Sequence, residues 1–258
     1  MVGAPLHTDT AKRLIALLDD GESILVGGQA LAFWADRYKP RWDCEFEVVN
    51  SVDIDFWADR TAAARYAHAL NGKAEFPPHD NDATPNTAIV RFTHDGYEYV
   101  IDCLASVYGV SENELDDMAL AVEFEGNECR VMHPYHCMVS RIKNVIGLGR
   151  RDAHALRQLR ASVQVLRHYL SERIETEPRA VLRIMEKVFK FVLHDREAQR
   201  AVAQQLCDPF DVVKPWAALP EKFCTVRYPQ MVEALGRKRA KLANRGEVRR
   251  NTIDNCDT

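Results

Sequence analysis

Apolar and polar residues alternate with a period of two in several short runs, and with a period near 3.6 in longer ones. Ser23–Val26 reads as a short buried strand, Gly27-Gly28 as a tight turn, and Gln29-Ala30-Leu31-Ala32-Phe33-Trp34 as the start of a helix. In Ser51–Trp57 the residues Val52, Ile54 and Phe56 alternate with polar positions, which predicts a half-buried strand. Ala88–Thr93 and Tyr97–Leu104 pair as a hairpin across His94-Asp95-Gly96, and Met118–Phe124 with Glu128–Met132 predicts a second across Glu125-Gly126-Asn127. A helix begins near Pro134: Val139, Ile142, Val145 and Ile146 recur at helical spacing until Gly147 and Gly149 interrupt it. Ala153–Tyr169, Pro178–Leu193 and Glu197–Leu206 then read as helices, with Val181, Ile184, Met185, Val188 and Phe189 forming one apolar stripe.

The pattern predicts an α+β fold: a mixed sheet with flanking helices over residues 1–148, a helical subdomain over 149–250, and a mobile tail over 251–258. With 258 residues, 47% of them hydrophobic, the chain can bury a substantial core. The N-terminal stretch runs from Thr8-Asp9-Thr10 into the amphipathic Ala11–Leu18, with neither signal-peptide organisation nor an apolar run of spanning length. A cytoplasmic location without a membrane partner is therefore expected. Seven scattered cysteines, with no CxxC pair, read as reduced thiols. His133, His136 and Cys137 lack a second ligand pair at zinc-binding spacing, and Pro134 between them starts a helix instead. Near the C-terminus Gly236–Lys241 and Arg245–Arg250 are locally basic in a chain of net charge −4; without an aromatic platform beside them, a solvated helix end is the simpler reading than RNA or DNA contact.

The chemistry concentrates in three places. On a strand, Asp53 and Asp55 point the same way, and two close carboxylates are costly unless a cation neutralises them. Asp102, on the strand Tyr97–Leu104, would complete a three-carboxylate cluster, Asp53, Asp55 and Asp102, able to hold two Mg2+ ions roughly 3.5–4 Å apart. Gly27 and Gly28, before a helix N-terminus, let backbone amides approach an anion closely, so that corner can hold phosphates. Singly, a DxD is more often a solvated edge and a Gly-Gly an ordinary turn; their order and strand context together point to a site.

This order, Gly27-Gly28, then Asp53-Ile54-Asp55, then Val100-Ile101-Asp102-Cys103, resembles the nucleotidyltransferase superfamily with the polymerase-β-like fold, over about residues 20–105. Val26–Leu31 and Ser51–Asp55 look most like the AbiEii-type bacterial toxins. The match departs at Gln29, where many relatives carry Ser or Thr, and at Tyr38–Asn50, a longer insertion. The resemblance implies transfer of a nucleoside monophosphate from an NTP, ATP among them, with Asp53, Asp55 and Asp102 as metal ligands and catalytic groups. Mg2+ is the implied ion, with Mn2+ as a substitute. It also implies that Gly27, Gly28 and Gln29 position the phosphates, and that a basic segment, Arg141-Ile142-Lys143 followed by Arg150-Arg151, brings Arg141 or Lys143 to the triphosphate. The implied partners are an acceptor such as tRNA, a protein side chain or a small hydroxylated molecule, and an antitoxin if the protein acts as a toxin. A catalytically silent module of the same fold, binding protein or nucleic acid, is the alternative.

Overall fold

A computed structural model describes residues 14, 15, 18, 21–39, 53–78, 84–94, 96–124 and 126–254. The amphipathic stretch read at Ala11–Leu18 and the insertion read at Tyr38–Asn50 lie mostly outside them, as do Ser51 and Val52. The chain forms two compact units, residues 1–168 and 169–258. The division falls within a helix rather than at the glycine interruption near residue 148, where the sequence suggested it.

The first unit is built on a seven-stranded mixed sheet in the order β3-β4-β5-β2-β1-β7-β6. Its strands are β1 (Ile24–Leu25), β2 (Ile54–Trp57), β3 (Lys73–Glu75), β4 (Asn86–His94), β5 (Tyr97–Leu104), β6 (Leu120–Phe124) and β7 (Asn127–Val131). β1 runs parallel to β7 and β2 runs parallel to β5, while the other neighbours are antiparallel. Both hairpins expected from the alternation are present, β4–β5 and β6–β7.

Alternation also decides which face is dry. Ile54 and Phe56 of β2, with Tyr99, Ile101 and Cys103 of β5, are buried on one side. Helix α1 (Gly27–Tyr38) and helix α2 (Arg60–Ala69) supply small and aromatic residues to the core: Ala30, Leu31 and Trp34 from the first, Ala62, Ala63 and Tyr66 from the second. Phe56 and Tyr66 lie with ring centroids 5.3 Å apart, and burying each such ring contributes about 1.5–3 kcal/mol. Asp59 starts α2 by accepting a hydrogen bond from the Ala62 amide at 2.7 Å. The short helix α3 (Glu112–Met118) is capped in the same way by Ser111. Helix α4 (Pro134–Ile146) begins at the expected proline, and His133 caps it by accepting from the Tyr135 amide at 3.0 Å, so that histidine serves the helix end. The Trp34 indole N–H donates to the Met132 carbonyl at 2.9 Å, tying α1 to the segment that leads into α4.

Helix α5 (Ala153–Arg173) contains the boundary between the units. The second unit is helical, with α6 (Pro178–His194), α7 (Arg196–Ala203) and α8 (Tyr228–Asp254). The predicted stripe on α6, Val181 to Phe189, is buried throughout, and Val192 extends it. The Arg227 guanidinium donates to both Glu186 carboxylate oxygens, at 2.7 and 2.6 Å, and lies over the Phe189 ring. In the basic C-terminal segment Arg237 pairs with Glu233 and Arg239 with Asp208, so those cations are partly neutralised within the unit. Helix α8 continues to Asp254, so regular backbone replaces the first half of the expected tail; residues 255–258 lie outside the described ones. Among the described residues, no helix is long and apolar enough to cross a membrane. Cys103, Cys129, Cys137, Cys207 and Cys224 carry thiols rather than disulfides, and burial pushes the pKa of the Cys137 thiol up to about 12.

Candidate active-site cleft

A cleft of about 720 Å³ opens on the polar side of β2 and β5, entirely within the first unit. Asp53, Asp55 and Asp102 all line it. Asp55 and Asp102 are paired in register on adjacent parallel strands, and neighbouring strands place such a pair about 4.8 Å apart at Cα. Asp53 differs from its expected place within the strand. It is exposed and precedes β2, because pairing with β5 begins one residue later, at Ile54 with Ile101.

Charge accumulates here. Burial first, and then the neighbouring Asp102, raises Asp55 from the usual carboxylate range to about 6; Arg141 and the Gly28 amide pull it back, and Asp53 adds to the rise. Asp102 is also raised, by burial and by Asp53, against the Asn86 side chain, which donates to its Oδ1 at 2.9 Å. Among the described residues no group of three or more His, Cys, Asp or Glu side chains is placed to hold a metal ion, so the three-carboxylate cluster expected from the sequence reduces to the register pair Asp55–Asp102, with Asp53 on the exposed segment ahead of β2. The donor set nonetheless suits Mg2+, which takes one or two carboxylates and completes its octahedron with water and substrate phosphates.

The glycine turn closes one end. Gly27 has φ +64°, and a Cβ there would overlap the Asp55 carboxylate, coming within 2.6 Å of its Cγ. Only glycine lets the chain pass so close. The Gly28 amide donates weakly to Asp55 Oδ2 at 3.4 Å, so this turn orients a carboxylate as well as facing the cleft. Gln29 is buried in α1 and does not line the cleft.

Opposite the acids stand cations. Arg141 on α4 lines the cleft with Ser140, Asn144, Leu148, Arg150 and His154. Its Nη1 donates to Gln158 Oε1 at 2.6 Å, while its buried Nε has no hydrogen-bond partner among the described residues. Burial lowers its pKa and Asp55 counteracts this. Lys143 does not line the cleft. Two helical positions are about 200° apart, so α4 cannot aim both Arg141 and Lys143 at one target. That spacing was already a signal in the sequence. Arg150 belongs to a basic run in the sequence, and His154, Asn86 and Tyr108 carry no sequence signal, because a helix start, a strand start and a loop bring them to the cleft.

Fold and cleft together define an α+β protein whose sheet presents paired carboxylates to a guanidinium, beside a glycine turn that opens a helix. No family model matches the chain, and no curated protein matches it. Among solved structures it is similar to an antigenic nucleotidyltransferase-like protein from Paracoccidioides brasiliensis, with 10% identity and a TM-score of 0.47, covering 90% of this chain and 95% of that one. It is also similar to the Megavirus polyadenylate synthase, with 13% identity and a TM-score of 0.38, covering 88% of this chain but only 49% of that one. At such values the functional reading has to stand on the geometry of the cleft.

Proposed function

We propose that the protein is a Mg2+-dependent nucleotidyltransferase, moving a nucleoside monophosphate from an NTP to a hydroxyl-bearing acceptor with release of pyrophosphate. The observation that carries this reading is the register pair Asp55–Asp102, with raised carboxyl pKa values, in a cleft that also holds Arg141.

In this reading Asp55 and Asp102 would hold the metal, with Asp53 adding negative charge at the same cleft; when bound, the metal would neutralise the phosphates and acidify the acceptor hydroxyl. Asp102, which accepts a hydrogen bond from Asn86, would take the proton of that hydroxyl as its oxygen attacks the α-phosphorus. The α–β phosphoanhydride bond breaks as the new phosphoester forms, and pyrophosphate leaves. Arg141 has donor capacity to spare at Nε and can grip phosphate oxygens, with Arg150 adding positive charge. The amides that open α1 favour the same anion through the helix dipole. Catalysis is then positioning plus electrostatic stabilisation. The acceptor candidates are tRNA, a protein side chain and a small hydroxylated molecule.

The test is to incubate the protein, Mg2+ and cell extract with each NTP labelled at the α or the γ phosphate. Transfer of α label alone, lost in Asp55→Asn, supports the proposal; transfer of γ label would identify a phosphotransferase instead. Mg2+-NTP binding without any transfer would favour the silent binding module.

A further inference from the structure

Two of the large apolar side chains exposed on this protein, Tyr108 at 45% and Leu148 at 50%, both line the same cleft. An exposed aromatic at the mouth of a charged cleft calls for a ligand part that is planar and apolar. The wall that carries Tyr108 starts at the acids: Asp102, Leu104, Ser106, Val107 and Tyr108 line the cleft in succession, spanning at most about 20 Å. Tyr108 sits at the tip of a tight turn in which Val107 and Val110 bridge, and the Val110 amide donates to the Val107 carbonyl at 3.0 Å.

The next residue, Gly109, has φ +82°, and a Cβ there would run into the Lys143 stem, 3.0 Å from its Cβ and nearer still to its Cγ. Lys143 therefore packs its methylenes against the back of the turn, from the side of α4 that does not line the cleft. This accounts for a lysine that sequence resemblance would place on the triphosphate.

Resting on the nucleotidyltransferase reading above, we propose that the Val107–Val110 turn is the nucleobase platform of the cleft, with Tyr108 stacking on the base and Leu148 contacting it. Lys143 is a positioning residue that holds the platform through its aliphatic stem, not a phosphate ligand. A stack of this kind tolerates every base, since each has a π-face, and so selects the presence of a base rather than its identity.

Inorganic tripolyphosphate, which has no base, separates the two halves of the ligand. Calorimetric binding of Mg2+-tripolyphosphate and of Mg2+ with each NTP is measured for wild type, Tyr108→Ala, Tyr108→Phe, Lys143→Ala and Lys143→Met. Tyr108→Ala is expected to weaken NTP binding about 5- to 100-fold and leave tripolyphosphate binding unchanged, with Phe restoring the NTP affinity. Lys143→Met, which keeps the stem and removes the charge, should bind NTP like wild type, whereas Lys143→Ala should lose affinity for NTP and not for tripolyphosphate. If Lys143→Met and Lys143→Ala both lose tripolyphosphate, the lysine is a phosphate ligand and the positioning role is overturned. Unchanged NTP affinity in Tyr108→Ala overturns the platform while leaving the nucleotidyltransferase reading intact. Failure of wild type to bind either probe overturns that reading and the platform with it.

Discussion

Replacing Asp55 by Asn removes one charge from the carboxylate pair and keeps its shape and an acceptor for the Gly28 amide. Burial and the neighbouring Asp102 raise the Asp55 pKa to about 6 in the folded protein, roughly two pH units above its ordinary value of 3.8 in the unfolded chain. At 1.36 kcal/mol per pH unit, ionised Asp55 costs the apo protein about 3 kcal/mol above pH 6. The sign follows from the raised value. Below the unfolded value both states are protonated and nothing is lost, and the cost grows as pH rises from about 4 to 6 and then stays constant. Asp55→Asn should therefore raise the apo melting temperature at pH 8 by several degrees, about 2–4 °C for each kcal/mol recovered, and the gap should shrink at pH 5. Saturating Mg2+ and NTP should reverse the order, stabilising wild type and leaving the variant unmoved. Thermal denaturation of both proteins at pH 5 and 8, with and without Mg2+-NTP, provides all eight values. A variant that melts below wild type at pH 8 would refute the reasoning, because Asp55 would then be a structural carboxylate whose charge is already compensated.

Three further outcomes follow. Gly27→Ala should destabilise the protein by at least about 1–2 kcal/mol in urea denaturation, since the left-handed conformation alone costs that much and the new Cβ also displaces Asp55; an unchanged midpoint would remove the steric argument. Asn86→Ala takes away the hydrogen bond that holds down the Asp102 pKa, so the pH midpoint of Mg2+-NTP binding should move upward, and no shift would mean that Asp102 does not contribute. Arg227→Ala, in the second unit, should cost about 1 kcal/mol of stability through a partly exposed ion pair and its packing on Phe189, while NTP affinity measured by calorimetry stays at the wild-type value.

Period-two alternation was enough to find β2, β4, β5 and the β6–β7 hairpin, because each buries one face and presents the other. The same alternation aligned Asp55 with Ile54 and Phe56 on opposite faces, and the register with β5 then brought Asp102 beside it. Asp53 escaped because where a strand begins depends on its partners, and local pattern does not carry that. Helices α2 and α3 were not read at all; their clearest signals are single capping residues, Asp59 and Ser111, ahead of short segments with few apolar positions. β3 has only three residues, Lys73–Glu75, too few for a period to show. The two glycines read alike in the sequence, whereas in the fold the positive φ and the steric need for glycine beside Asp55 belong to Gly27, and Gly28 donates its amide to the same carboxylate. The cation side was half legible. Arg141 lines the cleft and Gln29 and Lys143 do not, since helical rotation turns them elsewhere. Arg150, His154 and Tyr108 arrive through loops and a helix start whose placement is decided by tertiary packing.

In the proposed function the Asp55–Asp102 pair binds a nucleotide through a divalent cation. Calorimetric titration of each NTP into wild type and Asp55→Asn, once with Mg2+ and once with EDTA, tests it most directly. Wild type is expected to bind at least one NTP only in the presence of Mg2+, and the variant none under either condition. Equal binding with EDTA, or Mg2+-dependent binding that survives in Asp55→Asn, would contradict it.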